Sequence, residues 1–410
     1  MVRLFWIGLL VTFGLTLFIA LAEYLMGFSR YHYNPLTGDR YQDLMEFVPA
    51  YRVLHSTSFF DRTGAHMAYP PFGAVLYAAI YATGHPVFFY LGSAAVWLAL
   101  CLFGVRSALI SQGMSTWSAT LFPLTVGLTS FPIAGLLQRG NVEMFLWIFT
   151  ATAVWLFFRG QENWAAVLFG MAAALKLYPV ILLGLLLPRR RWQAFAIGLA
   201  TFVGVSVASM AWLGPSIPIA WHGTLQNVFG YQGRRASEWT LHELMANHTA
   251  YHLAKFAALT VGLSSSHLTI AYYGLGTLLI VILACRLWRM PAANQLLALT
   301  AFMVAFPPVS YFYTLVQLYA PWTVLLLLGI KAERVEAAPK GLKSSLLLFL
   351  PLFGSFMLFT FPRVFLYGGL VQSLLLIALL CCALYYPFEV NRPESESLAK
   401  GEESLHSVIA

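Results

Sequence analysis

Apolar residues run through this chain in long unbroken blocks separated by short turns rich in Arg and Lys, with neither the alternation of a strand nor the stripe of a surface helix. Blocks of this kind predict helices that cross a membrane. Placing the basic turns on one side gives an alternating path. A first span over about 4–27 runs outward into a polar loop, 28–68. Segment 69–82 is only about 14 residues long and carries Pro70-Pro71, which suits a re-entrant or interfacial helix. A span over 86–105 returns inward to Arg106, followed by 114–132 outward and 141–158 inward to Arg159. Two short pieces, 163–175 and 179–188, precede a span over 193–213 and a second polar loop, 214–266. Spans near 268–285, 293–306, 311–330, 343–361 and 366–387 complete the pattern. The expected fold is an all-α polytopic membrane protein: about twelve transmembrane helices and two large extracytoplasmic loops containing short helices. Residues 1–387 form one integral-membrane domain, and the polar stretch 388–410 reads as a disordered cytoplasmic tail.

One charge dictates the break at 176–179. Lys176 is the only charged residue between Trp164 and Leu187, and a lysine at the centre of a span costs roughly 2.5–3.5 kcal/mol on insertion scales. A single span would also leave Arg159 and the Arg189–Arg191 cluster on opposite sides. Breaking the stretch at Tyr178-Pro179 makes a hairpin whose basic flanks both face the cytoplasm. Lys176 then lies at the outer turn, where an ammonium group can meet an anion.

Composition narrows the class. Of 410 residues, 60% are hydrophobic and 10% charged, and the mean hydropathy is +0.73, outside the range of soluble domains. The net charge of +8 is dispersed among the spans, so it is assigned to cytoplasmic loops and not to nucleic acid. The first apolar run is longer than the hydrophobic region of a signal peptide and lacks a small-residue cleavage site, so it is kept as a span. Cys101, Cys285, Cys381 and Cys382 sit in apolar runs without metal-ligand spacing, and neither disulfides nor a metal site are expected. No Walker A or dinucleotide fingerprint occurs, and no cytoplasmic segment is long enough for a nucleotide-binding domain. Chemistry is therefore expected to face outward, at an inner (cell) membrane with both termini cytoplasmic, and with no cofactor.

Four constellations can carry that chemistry. In the first loop, Leu44, Phe47, Val48, Tyr51 and Leu54 recur near helical period, with Asp39, Asp43 and Glu46 opposite them. This describes a helix on the membrane surface, kinked or restarted at Pro49. Its carboxylates are either solvated or placed to act as a general base at the boundary. The second, Leu137 to Glu143, brings Gln138, Arg139, Asn141 and Glu143 to the outer start of a span. Arg139 and Glu143 stand at i, i+4 and can pair, or line a polar pocket with Lys176. The third is the loop 214–266, with His222, Gln226, Asn227, Tyr231, Trp239, His242, Glu243 and His248. Its spacing does not match a zinc motif, whereas polar and aromatic loop residues suit carbohydrate. The fourth, Phe306 to Tyr313, is a proline-rich outer turn whose Ser310 and Tyr313 are either interfacial or in contact with substrate.

Together these pieces resemble the GT-C glycosyltransferases, most closely family 87, related to polyprenol-phosphate-mannose-dependent mannosyltransferases. The residues that carry the resemblance are Asp43, Phe47, Ala50, Tyr51 and Leu54, then Tyr69-Pro70-Pro71-Phe72, then Arg139-Gly140-Asn141. Most specific is Gly170 to Pro179, with Lys176 and Tyr178, followed by Arg189-Arg190-Arg191-Trp192. The second half matches only through Pro308-Val309-Ser310, where family members often continue with Trp, a spacer and His. Tyr311 and Tyr313 stand at those positions here. The resemblance implies an inverting transfer of a hexose, mannose first, from a polyprenyl-phosphate donor to a hydroxyl on a glycan or glycolipid acceptor at the extracytoplasmic face. It implies Asp43 as the base, with Lys176 and Arg139 holding the donor phosphate. Asn141, Tyr69, Tyr178, Glu46, Ser310, Tyr313 and His242 would complete the substrate site. A phosphate leaving group needs no protonation, so this chemistry requires no metal. The rivals are a lipid-linked oligosaccharide polymerase or ligase, expected to use arginines and a histidine of the late loop, and a secondary transporter, expected to show inverted repeats.

Overall fold

The computed structural model describes residues 2–26, 40–60, 69–237, 247–262, 265–334, 339–354 and 362–389. Helix is the only regular structure among them. The helices are α1 Val2–Leu25, α2 Gln42–Glu46, α3 Val48–Arg52, α4 Pro71–Ala82, α5 Pro86–Ser111, α6 Thr116–Leu128, α7 Phe131–Arg139, α8 Glu143–Phe158 and α9 Glu162–Leu175. After the 3-10 helix Tyr178–Leu186 come α10 Trp192–Leu213, α11 Ile217–Ser237, α12 Ala250–Val261, α13 Ser265–Leu287 and α14 Ala292–Ala305. A second 3-10 helix, Phe312–Leu318, leads into α15 Tyr319–Arg334, α16 Leu342–Phe353 and α17 Pro362–Tyr385.

Among the described residues, five helical stretches are long and apolar enough to cross a membrane, or six if the bent pair α6–α7 counts as one span. That is the part of the expected dozen that length and apolarity support among those residues. Most of the other expected spans appear as apolar helices of ten to seventeen residues. At 1.5 Å per residue these are shorter than a hydrocarbon core of about 30 Å. In the most apolar part of the 312–334 stretch 89% of residues are buried, whereas in those of 86–111 and 268–287 only 11% are. The first is thus the axis of the bundle, and the other two form its apolar rim.

The hairpin expected around Lys176 is present. α9 ends at Leu175, and Lys176 leaves the helix in an extended conformation, φ −144° and ψ 139°. Pro179 then sits in the first turn of the 3-10 helix, where a missing N–H costs nothing. Arg191 and Glu162, 3.3 Å apart, close the other end of the hairpin. Gly170 lets α9 lie directly on α10, because a Cβ there would collide with the Gly198 carbonyl.

A second break supplies the other half of the site. α6 and α7 meet at 54°. There Ser130 caps α7 by accepting from the Ile133 N–H at 3.1 Å. α7 was not expected as a separate helix. It ends at Gly140, whose φ of +66° is the left-handed conformation glycine adopts freely. A Cβ there would also approach Leu44 to 2.9 Å. The reversal puts Asn141 at the start of α8, where its Oδ1 accepts from the Glu143 N–H at 2.8 Å.

Candidate active site

The two breaks face each other. α2 lies across the end of α7, so that Asp43 is buried and not turned to solvent. Its Oδ1 accepts from Arg139 Nη2 and its Oδ2 from Asn141 Nδ2, both at 2.6 Å. Arg139 also donates to Gln42, whose own Nε2 donates to Glu46 at 2.8 Å. Pro49 restarts the helix as α3, as its ring requires. Asn141 is wholly buried and joins this group to the hairpin. Its Nδ2 donates to Tyr69 Oη at 3.0 Å, and its Oδ1 lies 3.5 Å from Lys176 Nζ.

Lys176 has its own carboxylate. Its Nζ is 2.6 Å from Glu143 Oε2, with side chains 13% and 0% exposed. Glu143 also accepts from Tyr178 Oη at 2.6 and 2.7 Å and from Gln317 Nε2 at 2.8 Å. Gln317 accepts in turn from Thr150. Arg139 and Glu143 therefore do not pair with each other, although four residues apart. The Gly140 turn ends one helix between them, and each finds a partner on another element. Around the ammonium group stand the rings of Tyr69, Tyr313 and Tyr178, at 5.6, 5.7 and 6.0 Å. Burial, with Tyr77 and Asp43 nearby, pushes the Tyr69 hydroxyl well above its usual range, so it stays a neutral phenol.

These groups line one end of a cavity of about 1100 Å³. Asp43, Glu46, Tyr69, Arg139, Lys176 and Tyr178 reach its wall, and so do Ser310 and Tyr313 from the late turn. Glu143 and Asn141 do not, because they stand behind the ions they hold. The other end of the cavity is apolar, between the hairpin's second limb and α13, with Tyr272, Gly276, Ile280 and Phe302 in its wall. Four lining residues are also open on the flank of the molecule: Leu177 43%, Val180 37%, Tyr273 53% and Ile280 48% exposed. The cavity thus opens sideways through an apolar face.

The late turn is fixed by a separate polar cluster. Asn247 and Tyr311 form an antiparallel bridge, and the His248 N–H donates to the Ser310 carbonyl at 3.1 Å. His248 Nε2 lies 3.1 Å from Ser310 Oγ and 3.2 Å from Thr314 Oγ1. Burial first, and His252 second, push the His248 imidazole down to about 3. It is therefore a neutral ring. His242 lies outside the described residues, as do Asp39, Trp239, Glu243 and residues 390–410 of the expected tail.

Sequence reading passed over Gln42, Thr150 and Gln317 and left Glu143 out of the substrate site. Gln317 did carry a signal, being a polar side chain inside an expected span. Gln42 carried none.

The sequence model of Glycosyltransferase family 87 matches residues 68–306. That match covers more than half of the chain and includes Arg139, Asn141 and the hairpin with Lys176. A comparison with curated proteins finds no match.

Proposed function

The chain belongs to glycosyltransferase family 87, and on that premise we propose that it moves a hexose, mannose first, from a polyprenyl-phosphate donor to a hydroxyl of a glycan or glycolipid. The reading rests on one observation. A carboxylate and an ammonium group, both in contact with Asn141, stand at the polar end of a cavity whose apolar end opens on the flank of the bundle. A donor with a charged head and a long hydrocarbon tail matches both ends.

The transfer inverts the anomeric carbon. The acceptor oxygen attacks that carbon while its proton passes to Asp43, and the bond from the carbon to the phosphate oxygen breaks. The electron pair leaves with the phosphate, where Lys176 and Arg139 stabilise the added charge. Hydrogen bonds from Arg139 and Asn141 orient the Asp43 carboxylate and leave its other lone pairs for the acceptor. Tyr69, Tyr178, Glu46, Ser310, Tyr313 and His242 are proposed to contact the substrates. With the basic turns read as cytoplasmic, the site faces the extracytoplasmic side of the cell membrane, and because nucleotide sugars are confined to the cytoplasm such a site needs a lipid-linked donor.

The test is turnover of a polyprenyl-phosphate hexose by the purified protein in lipid. Asp43→Asn is expected to lower kcat by about 100- to 10,000-fold, the usual range for a general base, with donor KM little changed. Lys176→Ala is expected to lose transfer and to raise donor KM. Full activity in the aspartate variant removes Asp43 as the base.

A further inference from the structure

Glu143 is the most completely enclosed charge at the site, and the mechanism above does not use it. It is 0% exposed. Lys176, Tyr178 and Gln317 all donate to its two oxygens. It lies behind Lys176 and not on the cavity wall, so a substrate meets the ammonium group and not the carboxylate. Burying a carboxylate is costly, and a neutral side chain of the same shape would accept some of the same hydrogen bonds. The charge itself needs a reason.

The charges at the polar end of the cavity supply one: two ion pairs, with Glu46 a further carboxylate on the wall and no further cation among the described lining residues. Arg139 is matched by Asp43 and Lys176 by Glu143, each pair at 2.6 Å. The two ion pairs together are neutral. The proposed donor is a phosphodiester with one negative charge, whereas the product left after transfer is a phosphate monoester, which approaches two near neutral pH. A pocket with unmatched cations would hold that product more tightly than the donor. We propose that Glu143 is a counter-charge that fixes Lys176 and discounts its attraction for phosphate, so that the product is released. This rests on the polyprenyl-phosphate reading. Glu143 acts through Lys176 and is a positioning and tuning residue, not a catalytic one.

The experiment measures inhibition by a short-chain prenyl monophosphate, together with donor KM and kcat, for the full-length protein in lipid. In Glu143→Gln the inhibition constant is expected to fall about tenfold or more, because a charge a few ångströms behind the ammonium is no longer opposed. Donor KM falls by less, and kcat falls as release slows. In a Lys176→Met background, where transfer is lost and the monophosphate's dissociation constant is measured by direct binding, Glu143→Gln has no further effect on that constant, as a double-mutant cycle requires of a residue acting through another. Gln317→Leu removes a neutral donor to Glu143 and leaves the charge, so it lowers Tm while the inhibition constant stays put; this variant decides the matter if the glutamine variant does not fold. An unchanged or raised inhibition constant in Glu143→Gln, or a changed one in Gln317→Leu, overturns the proposal and makes Glu143 a structural hub. A wild-type protein that turns over no prenyl-phosphate sugar sinks the donor reading instead.

Discussion

Asn141 divides one amide between two ions. Its nitrogen holds Asp43, and its oxygen accepts from the first N–H of α8 and lies near Lys176. Aspartate there would repel Asp43, and alanine would leave a buried carboxylate oxygen and a helix N–H short of partners. Asn141→Ala is therefore expected to cost about 1–3 kcal/mol of stability, the usual penalty for an unsatisfied buried group. It should also lower kcat at least about tenfold, since a base must be held close to its proton. Thermal unfolding and initial rates on one preparation check both. That Asp43, Arg139, Asn141 and Lys176 would gather in one place was legible at this scale, but their pairing was not. Arg139 and Glu143 have helical spacing, yet the rule behind that spacing requires a continuous helix, and the positive φ at Gly140 breaks it. Asp43 looked amphipathic from its neighbours alone, because the arginine that buries it lies about a hundred residues away.

Breaks in elements build the site more than their interiors do. The hairpin was legible because Lys176 and Pro179 both resist a continuous span. α7 was not, because 114–132 already filled one span and Gly140 gave no hint of where the chain turned back. The ties between 247–249 and 308–314 were equally hidden, since they depend on hydrogen bonds between segments far apart in sequence. His248 makes that junction sensitive to pH. Its folded value of about 3 lies below the ordinary value near 6.5, so the stability gained by burying the neutral ring is complete above about pH 6.5. It declines as pH falls toward 3, by about 2 kcal/mol at pH 5. Comparing Tm at pH 7.5 and pH 5 for wild type and His248→Gln tests this. The wild type is expected to lose more on acidification, and equal losses would show that His248 does not carry the effect.

For the whole molecule, apolar block length predicted an all-helical membrane protein, and basic turns predicted where the chain reverses. Block length predicted about twelve crossings, and among the described residues five or six helices have the length and apolarity to make one. A site set between helices needs short, broken ones, and a short helix reads as a span when its neighbours are apolar too. The sideways mouth beside Leu177, Val180, Tyr273 and Ile280 gives the whole assembly a two-dimensional supply of its proposed donor. For reconstituted protein the rate should follow the donor's mole fraction in the bilayer. Adding buffer to the vesicles should leave turnover per enzyme unchanged, whereas fusing them with donor-free lipid should lower it in proportion to the dilution. In a cell, throughput would then depend on how crowded one leaflet is with carrier lipid and not on any aqueous sugar pool.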